Sequence, residues 1–296
     1  MRLFNKPVIT WLLIGMLFFL SGCVGQDPFA RDSTLAKKMG LNGENLQAGR
    51  FTLAAWQRIA PPVTLLRVYI EGDGFAWKSR SRPSDDPTPH NPVGLMLAMA
   101  DPSDNVLYLA RPCQFAGVPL PTACTPAWWT DKRFSALVIE SMNNALSQVV
   151  QRYPGAKIEL VGYSGGGNIA ALLAAQRTDV QSLRTVAGNL DVAYINTLHR
   201  VSAMPDAVNA INIAPKLAAM PQIHFSGGAD DTVPPAVAKR FQRAAGTRCV
   251  QVETVPGMAH GSDWAAIWPR LLRKKIGCGP ERKIPVQNVQ GSVGSN

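Results

Sequence analysis

The protein has 296 residues, of which 30 are Lys or Arg, 20 are Asp or Glu and 46% are hydrophobic. A chain this long and this apolar can bury a full core, which excludes a disordered tail protein, a collagen and a small disulfide-stapled module. The net charge of +10 is spread along the sequence, without basic runs, zinc-ligand spacing or an RNP-like stretch, so we expect no nucleic-acid partner.

The N-terminus resembles an export signal. Two basic residues precede an apolar run over residues 8–20, which is too short to span a bilayer comfortably. The run ends in a tetrapeptide that resembles a bacterial lipoprotein signal, Leu20-Ser21-Gly22-Cys23. This resemblance implies that residues 1–22 are cleaved and that Cys23 is lipidated. The alternative is a short transmembrane anchor with an incidental cysteine.

The residue after the cysteine bears on localisation. Gram-negative lipoproteins that stay in the inner membrane carry an aspartate there, whereas this chain has Val24. The resemblance therefore implies a lipid anchor in the outer membrane, with the protein facing the periplasm.

Export also changes how the remaining four cysteines are interpreted. In an oxidising compartment an even number of cysteines indicates disulfide bonds. Four cysteines can pair in three different ways. We favour the pairs Cys113–Cys124 and Cys249–Cys278, and four buried free thiols are the alternative. Because no cysteine sits in a CxxC motif and the four histidines are scattered, we predict no metal site and no cofactor.

Strands and helices alternate over residues 50–279, which we predict to form one domain. Apolar runs predict strands at Leu65–Ile70, Val106–Ala110, Lys157–Val161, Leu183–Ala187, Gln222–Ser226 and Val250–Val255. Helical periodicity and turn signals predict helices at Val93–Ala100, Phe134–Tyr153, Asn168–Gln176, Pro235–Ala245 and Ser262–Ile276. This alternation indicates an α/β fold, in which a mostly parallel sheet has helices on both faces. Residues 23–49 lack strong periodicity and are interpreted as a lipidated tether, and residues 280–296 as a flexible tail.

The chemistry is concentrated in one pentapeptide, Gly162-Tyr163-Ser164-Gly165-Gly166. It follows a predicted strand and precedes a predicted helix, and small residues two positions either side of a serine let the serine project from a sharp turn. In this context the motif resembles the nucleophile turn of the α/β-hydrolase family, and the resemblance covers residues 50–278. It implies that Ser164 is the nucleophile and that the Gly165 N–H is one oxyanion donor. A structural glycine-rich turn is the alternative.

The same resemblance implies an acid and a base downstream. Residues 227–234 resemble the family's acid loop, Gly-x-x-Asp-x-x-Val-Pro, which makes Asp230 the triad acid. Asp231 is the alternative, since adjacent acids cannot be separated without geometry, and Asp191 is a further one. His260 follows the last predicted strand and takes the position of the base.

A second oxyanion donor is expected after the first predicted strand. Residues 71–74 read Glu-Gly-Asp-Gly, where the family often has His-Gly-x-Gly. The resemblance implies the Asp73 N–H as the donor, with Gly74 next, and an ordinary acidic turn is the alternative. Glu71 departs from the usual histidine, and two carboxylates near the mouth of the site are expected.

These residues predict a serine hydrolase that cleaves an acyl bond, most readily a carboxylic ester. Residues 191–221 leave room for a small cap at most, so we expect a small or medium substrate. Three tryptophans flank the expected rim and would form an apolar wall unless they pack in the core: Trp77, Trp128 and Trp129. Two alternatives remain, an amide or peptide hydrolase and a catalytically silent hydrolase fold that serves as an envelope binding protein.

Overall fold

An eight-stranded sheet forms the centre of the structure, which is a computed structural model describing residues 28–279. The strands are β1 (Asn42–Ala48), β2 (Phe51–Arg58), β3 (Leu65–Ile70), β4 (Val106–Leu109), β5 (Lys157–Tyr163), β6 (Val180–Val186), β7 (Gln222–Gly227) and β8 (Val250–Val255). Their order is β1-β2-β4-β3-β5-β6-β7-β8. Strands β1 and β2 pair antiparallel, β2 pairs antiparallel with β4, and all other neighbours are parallel.

Helices cover both faces of this sheet. The α-helices are α1 (Pro28–Lys38), α2 (Val93–Ala100), α3 (Ala136–Val150), α4 (Gly165–Gln176), α5 (Val192–Leu198), α6 (Ala210–Ile213), α7 (Ala236–Ala245) and α8 (Trp264–Leu272). Helices α3, α4 and α7 bury their apolar sides in one core, and α2 and α8 bury theirs in a second core on the other face. None of the helices within residues 28–279 is long and apolar enough to cross a membrane.

The central strands are covered on both faces, which explains why their sequences are continuous apolar runs. Strand β7 is buried at every position and β5 at every position after Lys157. Because parallel strands end at the same edge of a sheet, the loops after β3, β5, β7 and β8 meet there. The four sequence motifs predicted to form the site follow these four strands.

The interpretation of residues 23–49 as a tether is wrong for residues 28–48. Helix α1 covers Pro28–Lys38, and β1 pairs with β2 along its whole length from Asn42 to Ala48. The strand reads Asn-Gly-Glu-Asn-Leu-Gln-Ala, and only Leu46 and Ala48 are buried. Such an edge strand is held by backbone hydrogen bonds, so its side chains carry little periodic signal. The predicted signal peptide (1–22), Cys23 and the predicted tail (280–296) lie outside the described residues.

Both favoured cysteine pairs form disulfides. Cys113–Cys124 closes a short excursion after β4, and Cys249–Cys278 joins the start of β8 to the segment after α8. The Gly279 N–H donates to the Arg248 carbonyl at 2.6 Å beside the second disulfide. The chain after α8 therefore returns to the beginning of β8.

A buried ion network crosses three neighbouring strands. Arg67 on β3 and Arg184 on β6 both bind Oε1 of Glu159 on the intervening β5, at 2.7 and 2.8 Å. Arg67 also binds Asp101, whose carboxylate accepts from the Tyr69 hydroxyl at 2.6 Å. The arginine lowers the pKa of Asp101 although burial opposes this. The network holds the strand register that brings β3 and β5 side by side below the site.

We expect Glu159→Ala to lower the free energy of unfolding by about 3 kcal/mol, because it leaves two guanidinium groups buried without their shared carboxylate. Urea denaturation monitored by circular dichroism measures this. Glu140→Ala on the exposed side of α3 is the matched control and should change the value by under about 0.5 kcal/mol. A loss below about 1 kcal/mol for Glu159→Ala would show that the network does not stabilise the sheet.

Candidate active site

Ser164 occupies a strained turn between β5 and α4. Its φ of 49° and ψ of −122° lie in a sparsely populated region, which costs a non-glycine residue of order 1–3 kcal/mol. A Cβ on Gly162 would overlap the carbonyl of Gly166, so the strand and the helix come this close only with glycine at that position. The Ser164 N–H donates to the Val186 carbonyl at 3.0 Å, and the Ser164 carbonyl accepts from Asn189 N–H at 2.8 Å. The turn thus holds the serine side chain at the carboxyl edge of the sheet.

His260 lies within hydrogen-bond distance of this serine. Its Nε2 is 2.9 Å from Ser164 Oγ, and its loop follows β8. The His260 carbonyl accepts hydrogen bonds from the Tyr163 hydroxyl at 3.1 Å and from Trp264 Nε1 at 3.0 Å. Burial raises the pKa of Tyr163, so its hydroxyl stays protonated and remains a donor. The imidazole is therefore held by its own backbone as well as by its ring contacts.

Asp230, rather than Asp231, is the acid beside the histidine. Its Oδ2 lies 2.9 Å from His260 Nδ1, and its Oδ1 accepts from the N–H groups of Thr232 at 3.0 Å and Val233 at 2.7 Å. Asp230 is 4% exposed, whereas Asp231 is exposed. Because both of its oxygens have partners, the carboxylate is fixed in orientation toward the ring.

Asp191, the further alternative, is used elsewhere. Its carboxylate accepts from the Tyr194 N–H at the start of α5 and pairs with Arg240 of α7 at 2.8 Å. Asp191 is therefore the N-cap of α5, and it lies apart from Ser164 and His260.

The loop after β3 lies directly against Ser164. A Cβ built at Gly72 would be 3.2 Å from the Cβ of Ser164. Among the described residues, the N–H groups of Asp73 and Gly165 have no internal acceptor. Gly165 is also the first residue of α4, where the helix dipole favours negative charge. Two N–H groups without an acceptor among the described residues therefore lie in the segments next to Ser164.

Glu71 lines a cleft together with Ser164 and His260, so it lies near the site as expected, but its carboxylate is not exposed. It is 1% exposed, and its carboxylate accepts from the N–H groups of Gly72, Gly94 and Leu95 and from the Tyr108 hydroxyl. Burial raises the pKa of Glu71, and these four donors oppose the shift. The carboxylate thus joins the start of the oxyanion loop to the first turn of α2.

Asp73 reaches the site but its charge is compensated there. Its Oδ1 is 3.2 Å from Nη1 of the buried Arg111, and its Oδ2 is 2.9 Å from Nε of Arg133. Arg111 also donates to the Arg133 carbonyl and lies over the ring of Phe134. Burial lowers the pKa of Arg111, and Asp73 opposes this. The second expected carboxylate is therefore an ion pair rather than a free charge.

The Cys113–Cys124 excursion supports the same loop. The Gln114 amide donates to the Gly72 carbonyl at 3.0 Å and accepts from the Arg111 N–H at 2.9 Å. Gln114 lies between two residues with positive φ, Cys113 at 70° and Phe115 at 55°. The disulfide fixes one end of this strained turn and so places the amide that holds the oxyanion loop.

Two clefts meet at the serine. The larger has a volume of about 770 Å³ and the smaller about 400 Å³, and they share Asp73, Ser164 and Thr232. Residues from 195 to 204, in the predicted small cap, line the larger cleft. The His199 ring donates to the Thr232 carbonyl at 2.8 Å and connects that wall to the acid loop. A substrate with its scissile bond at Ser164 therefore has a separate space for each of its two parts.

The three tryptophans have different roles. Trp77 is 42% exposed and lines the larger cleft. Trp128 packs edge-on against Phe51 with the ring centroids 5.3 Å apart, and Trp129 is 4% exposed. Only Trp77 contributes to a wall of the site, and the other two belong to the core, as aromatic residues usually do.

The sequence matches no family model and no curated protein. Comparison with solved structures does find matches. An α/β serine hydrolase homologue from Coxiella burnetii has a TM-score of 0.53 at 17% identity, over 78% of this chain and 94% of that chain. The fold is thereby decided. The chain has the α/β-hydrolase fold.

Two further solved structures have this α/β-hydrolase fold. A serine hydrolase without a lid from Xanthomonas campestris has a TM-score of 0.51 at 14% identity and covers 81% of this chain and 97% of that chain. The esterase domain of a Rhodothermus marinus protein has a TM-score of 0.52 at 15% identity and covers 78% of this chain and 95% of that chain. At these identities the likeness concerns the fold.

Sequence reasoning missed the residues that hold the site together. Arg111 directly follows the apolar run of β4, and a charge at the carboxyl end of a buried strand was a usable signal. Tyr163 precedes the serine within the quoted motif, but its bond to the His260 carbonyl spans 97 positions. Arg133 and Gln114 carry no local signal, because their partners come from other loops.

We expect Asp230→Asn to slow the reaction of Ser164 with a fluorophosphonate by about 10³-fold, because the amide disturbs the tautomer and charge of His260. Asp231→Asn should leave the rate within about threefold, since this side chain is exposed. Stopped-flow or gel-based labelling kinetics measure both rates. Equal losses in the two variants would contradict the assignment of Asp230.

Proposed function

We propose that the protein is a serine hydrolase that cleaves a carboxylic ester of a small or medium substrate through an acyl-enzyme on Ser164. The hydrogen-bond chain from Ser164 through His260 to Asp230 carries this proposal. These three residues lie beside two clefts and two N–H groups without an internal acceptor. On this proposal a nucleophile, a base, an orienting acid and a space for the substrate occur together.

In the first step Ser164 Oγ attacks the ester carbonyl carbon while His260 Nε2 takes the serine proton. The Asp230 carboxylate holds the ring with Nδ1–H toward Oδ2 and stabilises the imidazolium that forms. Since Oδ1 is already occupied by two backbone N–H groups, the carboxylate cannot turn away when the ring becomes charged.

The carbonyl oxygen becomes an oxyanion in this step. The N–H groups of Gly165 and Asp73 are the donors we assign to it, and loss of one such donor typically costs 10²- to 10³-fold in rate. Arg111 and Arg133 compensate the Asp73 carboxylate, which otherwise would repel the developing charge.

The tetrahedral intermediate then collapses and the leaving alcohol takes the proton from His260. A water molecule enters the same position, loses a proton to His260 and attacks the acyl carbon, which releases the acid and restores Ser164. The cycle as proposed uses the protein's own side chains, two backbone N–H groups and water.

Two features favour an ester of limited size. The wall formed by residues 195–204 is short, and the lid-free hydrolase from Xanthomonas campestris has the same fold. The esterase domain from Rhodothermus marinus supports ester chemistry on this scaffold. A long-chain lipase normally needs more apolar cover than this segment supplies.

A fluorophosphonate probe tests the proposal directly. We expect stoichiometric labelling of the folded protein, loss of labelling in Ser164→Ala, and retention in Ser202→Ala, a second serine of the larger cleft. Mass spectrometry of the labelled peptide identifies the site. p-Nitrophenyl esters of increasing acyl length then measure turnover, with short and medium chains expected to react best.

Absence of label on Ser164 would contradict the enzyme and point to a binding protein with a silent hydrolase fold. Turnover of aminoacyl p-nitroanilides without turnover of any ester would identify an amide or peptide hydrolase.

We further propose that Cys23 is lipidated and that the protein is anchored to the outer membrane, facing the periplasm. The lipoprotein-like residues Leu20-Ser21-Gly22-Cys23 carry this proposal, and Val24 favours the outer membrane. Two disulfides are consistent with an oxidising compartment.

We expect Cys23→Ser to release the protein from the membrane fraction or to block its processing, because the sulfur that would bear the lipid is gone. Fractionation with immunoblotting measures this, and Ser21→Ala is a conservative control. A Cys23→Ser protein that is processed and remains membrane-bound would contradict the lipid anchor.

A further inference from the structure

The larger cleft carries more positive than negative charge. Its charged lining consists of three arginines and two aspartates: Arg80, Arg133, Arg200, Asp73 and Asp131. Asp73 already has two guanidinium partners, Arg133 and the buried Arg111. Within residues 28–279, neither Arg80 nor Arg200 has an acidic partner. Two unpaired guanidinium groups thus line the cleft that contains Ser164.

Arg80 projects from a small hairpin after the oxyanion loop. Trp77 and Pro83 form a β-bridge, and the Lys78 N–H donates to the Arg82 carbonyl at 2.9 Å, which places Arg80 at the tip. Lys78 is paired with Asp85, so the hairpin satisfies that cation internally. Arg80 instead lines the larger cleft, as does the exposed Trp77.

Arg200 occupies a position where glycine is usual. Val201 N–H donates to the Asn196 carbonyl at 3.0 Å and Arg200 N–H to the Thr197 carbonyl at 3.1 Å, which is the Schellman pattern at the end of α5. Arg200 has the left-handed φ of 54° that this motif requires. Glycine would adopt this φ without strain, whereas a residue with a side chain is strained at this position. Arg200 lines the cleft, which gives that side chain a use.

We propose that the substrate of the Ser164 site carries an anionic group, a carboxylate or a phosphate, on the part that lies in the larger cleft, where Arg80 and Arg200 bind it. This rests on the proposed ester hydrolysis. Guanidinium groups bind such anions through paired, charge-assisted hydrogen bonds. The cleft also has apolar side chains among its polar ones, namely Trp77, Ile195, Val201, Ala203, Met204 and Val233. The fitting substrate is therefore amphipathic, with an anionic end and an apolar body.

Matched ester pairs test this on the full-length protein in a neutral detergent. For an anion on the acyl side, mono-p-nitrophenyl suberate is compared with p-nitrophenyl octanoate, which has the same acyl length. For an anion on the alcohol side, 4-acetoxybenzoate is compared with its methyl ester. We expect kcat/KM for the anionic member of at least one pair to exceed that of its neutral partner by about tenfold, and salt to reduce this ratio.

The arginines are then changed singly and together. Arg80→Gln and Arg200→Gln should each lower the anionic-to-neutral ratio about threefold, and the double variant should bring it close to unity. Arg243→Gln, an exposed arginine on α7 that makes the same change in net charge, should leave the ratio unchanged.

A ratio at or below unity in both pairs, or a ratio that the arginine variants leave unchanged, overturns the inference while ester hydrolysis stands. An equal fall in Arg243→Gln overturns it as well, since the effect would then be one of net charge. No turnover of any ester together with no labelling of Ser164 overturns the proposed function itself, and the substrate inference falls with it.

Discussion

Strand β5 and helix α4 meet so closely at Ser164 that the arrangement of the neighbouring elements follows from that contact. A Cβ on Gly166 would overlap the backbone carbonyls of Ile70 and Glu71, which means that the helix is pressed against the end of β3. The loop that begins at Glu71 therefore starts beside Ser164. The strained serine, the free helix N-terminus and the Gly72–Asp73 segment are three results of one close approach between strand, turn and helix.

Three of the carboxylates near Ser164 each have their own set of partners. Glu71 is satisfied by three backbone amides and a tyrosine hydroxyl. Asp73 is paired with Arg111 and Arg133, and Asp230 with His260 and two backbone amides. Because these acids are held by fixed donors, His260 is the group between Ser164 and Asp230 that is left to move a proton. These three carboxylates thus lie near Ser164, but their partners keep them from competing with His260 for the serine.

The parts of the fold and the site that the sequence predicts are those in which a residue's partners lie nearby in the chain. The Ser164 turn was predictable because the strand, glycines and helix are contiguous, and the strands that frame it are long apolar runs. Edge strand β1 was missed because only two of its side chains are buried. Choosing Asp230 over Asp231 needed three-dimensional geometry, since neighbouring residues point in different directions and only coordinates show which one faces His260.

The environment of Asp73 is a stronger example of partners that lie far apart in the sequence. Its two cationic partners lie 38 and 60 positions away, on loops that only the folded sheet brings together. The sequence reasoning placed both Glu71 and Asp73 near the mouth. Their actual roles, one buried and one paired, depend on long-range burial and hydrogen bonding, for which a local pattern carries no information.

The two clefts share only Asp73, Ser164 and Thr232, and otherwise have separate walls. The larger is built from the Trp77 hairpin and residues 195–204, and the smaller from Phe75, residues 89–91 and the neighbourhood of His260. Substitutions in one set of loops can therefore reshape one half of the bound molecule's environment and leave the other half and the reacting atoms as they are. The scaffold is modular in this sense, and its selectivity for the two halves of a substrate can diverge independently, in evolution or by design.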